Sequence, residues 1–226
     1  MAGYILWEGP SRIDGEPIVL ICTSPSVNEK TGDMCQYYIL PRDVHPIDDD
    51  VSVCGGCWFR KEKICYINLG HDVNQVWKAY KAGSYDWVSI QDHRALHGKP
   101  DRFGAFGDPT TVPVKVWKAL HRKGKATGYT QFWRNPKNQA YRQLCMASCH
   151  TRLEVAQAKE LGWTPYYAFQ PGGEIEGVQL CPFYEEGIQC RDCLLCDPSK
   201  GITIQAPLHG SKALYWMKRK GLSVGA

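Results

Sequence analysis

The pattern of apolar and polar positions changes character near residue 74. Before it, short apolar runs are separated by polar turns. Pro17-Ile-Val-Leu-Ile-Cys22 and Gln36-Tyr-Tyr-Ile-Leu40 read as strands, and Asn28-Glu-Lys-Thr-Gly-Asp33 between them has the residues that hairpin connections favour. The acidic loop Asp48-Asp-Asp50 then leads into a first cysteine cluster. Beyond residue 74, strands and helices alternate. Asp86 to Ile90, Arg102 to Gly107, Ala126 to Trp133, Leu144 to Ser148, Trp163 to Phe169, Gly177 to Leu180 and Gly201 to Gln205 all read as strands. Pro113 opens a helix that carries Val116, Trp117 and Leu120 on one face and stops at Gly124. Thr151-Arg-Leu-Glu154 is a capping-box pattern; Val155, Ala158 and Leu161 follow at helical spacing, and Gly162 closes the helix.

Such alternation predicts βαβ units and a largely parallel sheet. At 226 residues the chain is short for a complete eight-stranded barrel. The expected fold class is therefore α/β: a compact or partial (β/α) barrel with an N-terminal β-hairpin region and cysteine-rich metal-binding loops. One domain, 1–226, is expected, β-rich over 1–73 and alternating over 74–226. In folds of this kind the loops after the strands carry chemistry. Here they hold Asp108, Tyr129, Thr130, Ser148, Cys149, His150, Gln170, Cys181 and His209.

A hydrophobic fraction of 43% and a charged fraction of 22% are ordinary for a globular protein, and a formal charge of +4 neither requires nor excludes a nucleic-acid partner. No apolar run approaches the ~18 residues of a membrane span. The first eight residues lack a basic stretch followed by a long apolar one, so no signal peptide, no membrane partner and a cytoplasmic location are expected. Eleven cysteines alter the picture. In a chain without an export signal they point to metal binding or catalysis more than to disulfides.

Cys190-Arg-Asp-Cys193-Leu-Leu-Cys196 is the strongest signal, with Cys181 nine residues upstream and His209 thirteen downstream. A C-x2-C pair brings two thiolates onto one ion from a tight turn, and a third at the same spacing supplies most of a tetrahedral zinc site. The same triple spacing occurs in ferredoxin-type iron–sulfur ligation. Either Cys181 or His209 is the candidate fourth ligand, and Cys181-Pro182 keeps a four-cysteine cluster open. The first cluster is Cys54-Gly-Gly-Cys57 followed by Cys65. Its candidate fourth ligands are Cys22, Cys35, His71 or an exchangeable small molecule. An open coordination position would make it reactive. The expected cofactor is thus an iron–sulfur cluster or zinc, at one or two sites. Cys145 reads as core and Cys149 as a residue that either packs or lines the pocket.

Gly104-Ala-Phe-Gly107-Asp108-Pro109 sets a carboxylate on a glycine-flanked turn, where it serves either as base or nucleophile or as the cap of a following helix. Thr127-Gly-Tyr129-Thr130 offers hydroxyls and a flat aromatic near the same face, Ser148 lies nearby, and Trp133 with Arg134 is placed to stack on a base. His150 either lines the pocket or transfers protons. Lys212 and Lys218-Arg-Lys220, with Tyr215 and Trp216, form a modest nucleic-acid-type patch or a solvated helix face.

Trp7-Glu-Gly-Pro10, Asn28-x-Lys-Thr-Gly32, Cys54-Gly-x-Cys57, Gly104-Ala-x-Gly-Asp-Pro109, Thr127-Gly-Tyr-Thr130, Met146-Ala-Ser148 and the closing Cys-x2-Cys-x2-Cys with His209-Gly210 together resemble a family of phage and mobile-element proteins with two cysteine clusters. Two further superfamilies are similar in part. Barrel-type guanine transglycosylases, including phage enzymes that place 7-deazaguanines in DNA, carry a late three-cysteine-plus-histidine zinc site. That resemblance implies Cys190, Cys193, Cys196 and His209 as ligands and Asp108 as nucleophile. Radical-SAM enzymes pair a three-cysteine cluster with a (β/α) barrel, which implies Cys54, Cys57 and Cys65 as cluster ligands and S-adenosylmethionine as the small cofactor, although Cys-x2-Cys-x7-Cys departs from their usual spacing.

The expected function is a metal- or iron–sulfur-binding enzyme acting on a nucleic-acid base, DNA ahead of RNA, in the manner of a transglycosylase. Its candidate residues are Asp108, His150 and Tyr129 for catalysis and Thr127, Thr130, Trp133 and Ser148 for substrate. The alternatives are an iron–sulfur redox or radical-SAM-like enzyme, and a non-enzymatic zinc module that binds nucleic acid.

Overall fold

The computed structural model describes residues 2–222. Its strands are β1 (Ala2–Pro10), β2 (Pro17–Ser24), β3 (Cys35–Pro41), β4 (Asp86–Trp87), β5 (Asp101–Phe106), β6 (Ala126–Thr130), β7 (Met146–Cys149), β8 (Pro165–Phe169), β9 (Gln179–Leu180) and β10 (Ile204–Pro207). The α-helices are α1 (Val51–Cys54), α2 (Trp58–Lys61), α3 (Asn74–Lys81), α4 (Ile90–Leu96), α5 (Val114–Leu120), α6 (Arg152–Glu160), α7 (Pro182–Glu186), α8 (Cys190–Cys193) and α9 (Ser211–Arg219).

The strands form one ten-stranded sheet in the order β4-β1-β2-β3-β5-β6-β7-β8-β10-β9. β1, β2 and β3 are an antiparallel meander, and every other pairing is parallel. The expected barrel is not formed: the sheet is open, with the two-residue strands β4 and β9 at its edges. The antiparallel meander extends one side of the parallel half, so β3 and β9 never meet. Short edge strands also offer little unpaired backbone to another chain.

β2 and β3 lie inside the sheet and are covered on both faces, which is why they read as apolar runs without alternation. Along the parallel strands side chains alternate between two cores. Phe103, Ala147 and Tyr167 face the helices and pack with Trp117 of α5 and Val155 of α6. Tyr129, Met146, Tyr166, Ile204 and Ala206 face the other way and pack with Cys181 and Cys196. Local signals agree with the observed elements. The Thr151 capping box is complete, with its side chain accepting from the Glu154 amide and the Glu154 carboxylate accepting from the Thr151 amide. The segment read as a strand through Ile90 ends early because the Ser89 side chain accepts from the Asp92 amide and starts α4.

Gly107 shows why the turn after β5 needs glycine. It sits at φ +81°, and a Cβ there would lie 2.7 Å from the Ile39 Cβ. No helix of the described residues is long and apolar enough to cross a membrane.

Candidate metal centres

Cys181 follows β9 and precedes α7, whose first residue, Pro182, has no amide to leave unpaired. Cys190 opens α8 and Cys193 ends it. Leu194 then turns left-handed (φ +51°), which brings Cys196 back toward the sheet. All four cysteines line one small cavity with Thr127 of β6 and Ile204 of β10. The buried Thr127 hydroxyl has no hydrogen-bond partner, an arrangement that costs about 1–3 kcal/mol unless something in the cavity meets it. Among the described residues, no three of these four sulfurs lie within 4.8 Å of one another. Tetrahedral zinc, with Zn–S bonds of about 2.3 Å, sets sulfur–sulfur edges of roughly 3.8 Å.

Two cations flank it. Lys30, from the loop between β2 and β3, donates to the Tyr184 hydroxyl at 3.0 Å and lies 4.4 Å from that ring's centre. Burial draws its pKa down, and Cys181, Cys190 and Cys196 draw it back up. Arg102 of β5 is buried, donates to the Tyr66 hydroxyl at 3.0 Å and sits 5.2 Å from the centre of the Tyr129 ring. Burial opposes its charge, while Tyr66, Tyr129 and Cys190 favour it. Tyr129 also stands beside Cys196, whose thiol burial pushes up to about 12. Burial keeps the Cys190 and Cys196 thiols protonated at neutral pH. A metal ion must displace those protons, and the resulting negative charge meets Lys30 and Arg102. His209 is not at this cavity: its Nδ1 lies 3.1 Å from the Pro207 carbonyl and its ring packs between Tyr66 and Tyr184. Of the two candidate fourth ligands, Cys181 lines the cavity and His209 does not.

The first cluster lies at the carboxyl ends of the parallel strands. Cys54 closes α1, and Cys57 precedes α2, where the nearby Arg60 and Phe59 amides favour its thiolate form. The Ile67 amide acts in the same direction on Cys65. Burial is the largest influence on all three thiols, pushing Cys57 up to about 11. The oriented amides favour thiolate, as a ligand set requires. The Asp50–Arg60 ion pair, at 2.6 Å, ties α1 to α2. None of the candidate fourth protein ligands is at hand: His71 is exposed, and Cys22 and Cys35 stand with His93 instead.

The polar residues read as catalytic divide into two groups. Asp108 is committed to its turn. Its carboxylate accepts from the Thr110 amide and hydroxyl (2.9 and 2.8 Å), the Thr130 hydroxyl (2.8 and 3.0 Å) and the Gln131 amide (2.8 Å). Burial pushes its pKa up, and these donors pull against it. Both oxygens are used, which leaves the residue as a buried brace and not as the expected nucleophile. Trp133 is likewise core: it is fully buried, its indole donates to the Ser148 carbonyl at 3.0 Å, and Arg134 covers it at 4.0 Å. Ser148 is buried beside it, and neither is open to solvent. Cys145 and Cys149 are both buried.

His150 is different. It stacks on Trp58 (centroids 4.4 Å apart, planes at 23°), next in sequence to Cys57, and its Nε2 meets the Gln131 Oε1 at 2.7 Å. Burial brings its pKa down to about 4, so the ring is neutral at pH 7. Nearby, Lys61, Lys63, Lys212, Arg219 and Lys220 line a groove between α2 and α9 with Glu62 as its one acid and with Tyr215 and Trp216.

Sequence reasoning missed one group. Cys22, Cys35 and His93, all buried, place their ligand atoms within 4.8 Å of one another. The available signal was His93-x3-His97, two imidazoles one helical turn apart, but no cysteine pair lies near it in sequence. Comparison with family models, curated proteins and solved structures gave no match.

Proposed function

We propose that the chain is an iron–sulfur enzyme that acts on nucleic acid, with a saturated cluster held by Cys181, Cys190, Cys193 and Cys196 and an open one held by Cys54, Cys57 and Cys65. One observation carries this reading. Four cysteines and an unpartnered buried hydroxyl surround one cavity, beside the half-buried Lys30 and the buried Arg102. A cluster there supplies one-electron transfer when bound. The protein's own part is electrostatic. Lys30 and Arg102 balance the thiolate charge, and Thr127 offers a hydroxyl to the cavity.

The open site suits chemistry better than the saturated one. It has no fourth protein ligand among the candidates, and it adjoins the neutral His150 and the basic groove. Five cations against one carboxylate, with the ring of Tyr215 64% exposed, fit a polyanion whose bases stack. DNA stays ahead of RNA on the phage-type resemblance alone. The transglycosylase form of the expectation is not carried forward, because Asp108 has no free oxygen for a sugar carbon.

The test is iron, sulfide and zinc analysis with an absorption spectrum on protein purified without air. Iron with sulfide, diminished by Cys190→Ser and separately by Cys57→Ser, is the expected result. Stoichiometric zinc in a colourless protein overturns the cluster assignment.

A further inference from the structure

The sheet hides a third group of donors, distinct from both clusters. Cys22 on β2 lies opposite Tyr37 on β3, and Cys35 is two residues from Tyr37, so all three project from one face of the hairpin. Helix α4 lies against that face and delivers His93. The His93 Nε2 is held at 2.9 Å by the Tyr37 hydroxyl, which in turn donates to Asp101 at 3.0 Å. The other ring nitrogen, Nδ1, is buried and has no partner. One turn later His97 packs its ring 4.8 Å from that of His93, and its Nε2 is also buried without a partner.

We propose that Cys22, Cys35, His93 and His97 form a structural zinc site. Two cysteines on a hairpin and two histidines four residues apart on one helix are a donor set that tetrahedral zinc takes. The unpartnered His93 Nδ1 and His97 Nε2 are the two atoms it would use, His97 closing in from one helical turn away, outside the 4.8 Å group of the other three donors. The mutual separations of the first three donors, within 4.8 Å, lie near the roughly 3.6–3.8 Å edges that ~2.0–2.3 Å bonds impose. The Tyr37–Asp101 chain fixes the His93 ring as outer-shell partners of zinc histidines do. Charge favours the place as well. Two thiolates, two neutral imidazoles and one Zn²⁺ sum to zero, which suits a buried position, whereas the four-cysteine cavity needs Lys30 and Arg102. The site would pin α4 to the β2–β3 hairpin.

The experiment uses the full chain with ¹⁵N-labelled histidine, isolated from zinc-supplemented cells. Two-bond ¹H–¹⁵N spectra and zinc per chain are the readouts. Metal-bound signals are expected at His93 Nδ1 and His97 Nε2, with the His93 proton on Nε2. Cys22→Ser should remove both signals and one zinc. Should that variant not fold, His97→Ala at the half-buried end of α4 should remove the same zinc. Tyr37→Phe should weaken zinc retention against a chelator by about 10–100-fold. Free-ring signals at both histidines in zinc-loaded wild type overturn the site. The all-thiolate clusters contain no imidazole, so their failure leaves this readout unchanged.

Discussion

Asp108→Ala separates a structural from a chemical role at the residue that sequence reasoning singled out as nucleophile. The substitution leaves the buried amide of Thr110 and the part-buried amide of Gln131 unpaired. The Thr110 and Thr130 hydroxyls also lose their acceptor, but they can rotate toward others. Each orphaned amide costs about 1–3 kcal/mol, so the expected destabilisation is about 4 kcal/mol. At roughly 2–4 °C per kcal/mol for a chain of this size, Tm should fall by about 8–16 °C. Asp108→Asn keeps one acceptor oxygen and should cost about half as much. Urea unfolding followed by far-UV circular dichroism gives the free energies, and thermal scans give Tm. If Asp108→Ala unfolds within about 2 °C of wild type and loses activity, the bracing argument fails and the carboxylate belongs to the chemistry.

Other outcomes follow from the same geometry. Lys30→Met should lower the reduction potential of the four-cysteine cluster in film voltammetry, since losing a nearby cation disfavours the more negative reduced state; an unchanged potential removes Lys30 from the site. Neutralising Lys63, Lys212 and Lys220 together should weaken DNA binding in fluorescence anisotropy and flatten its salt dependence by up to about three counterions; an unchanged slope means that DNA lies elsewhere. Gly107→Ala should cost more than about 2 kcal/mol in the same unfolding assay, because its Cβ would meet Ile39 across a left-handed turn. Burial raises the Asp101 pKa to about 6, with Arg122 opposing. A raised carboxyl contributes stability below its unfolded value and loses it as pH climbs through about 6. Wild type should therefore lose up to about 3 kcal/mol between pH 4 and 7 relative to Asp101→Asn, and parallel curves would refute this.

What the sequence disclosed depended on the range of the signal. The Thr151 capping box, the Asn28–Asp33 turn and the βα alternation were legible because each is written in neighbouring residues. The compact or partial barrel was a misreading of long-range order: nothing local announces that β3 pairs with β5 or that β1 and β4 prolong the sheet. Trp133 looked like a stacking residue because an indole on a strand does not reveal which side of the sheet is covered. The four cysteines at one cavity followed from spacing. The His93 group did not, since its donors come from two strands and a helix separated by more than fifty residues.

The loop that supplies Lys30 also joins the two ends of the chain. The Cys190 and Arg191 amides donate to the Lys30 and Thr31 carbonyls at 3.0 and 3.1 Å, and the Gln189 side chain donates to the Glu29 carbonyl at 2.8 Å. These contacts span about 160 residues of sequence. A nascent chain made at about 5–20 residues per second would hold its hairpin loop unpartnered for roughly 8–32 seconds before the last cysteines emerge. Closure of the C-terminal cysteine loop is thus a late event in biogenesis. A ribosome that stalls before residue 190 releases a chain whose first fifty residues lack their clasp, and such fragments should be early targets of cellular proteases.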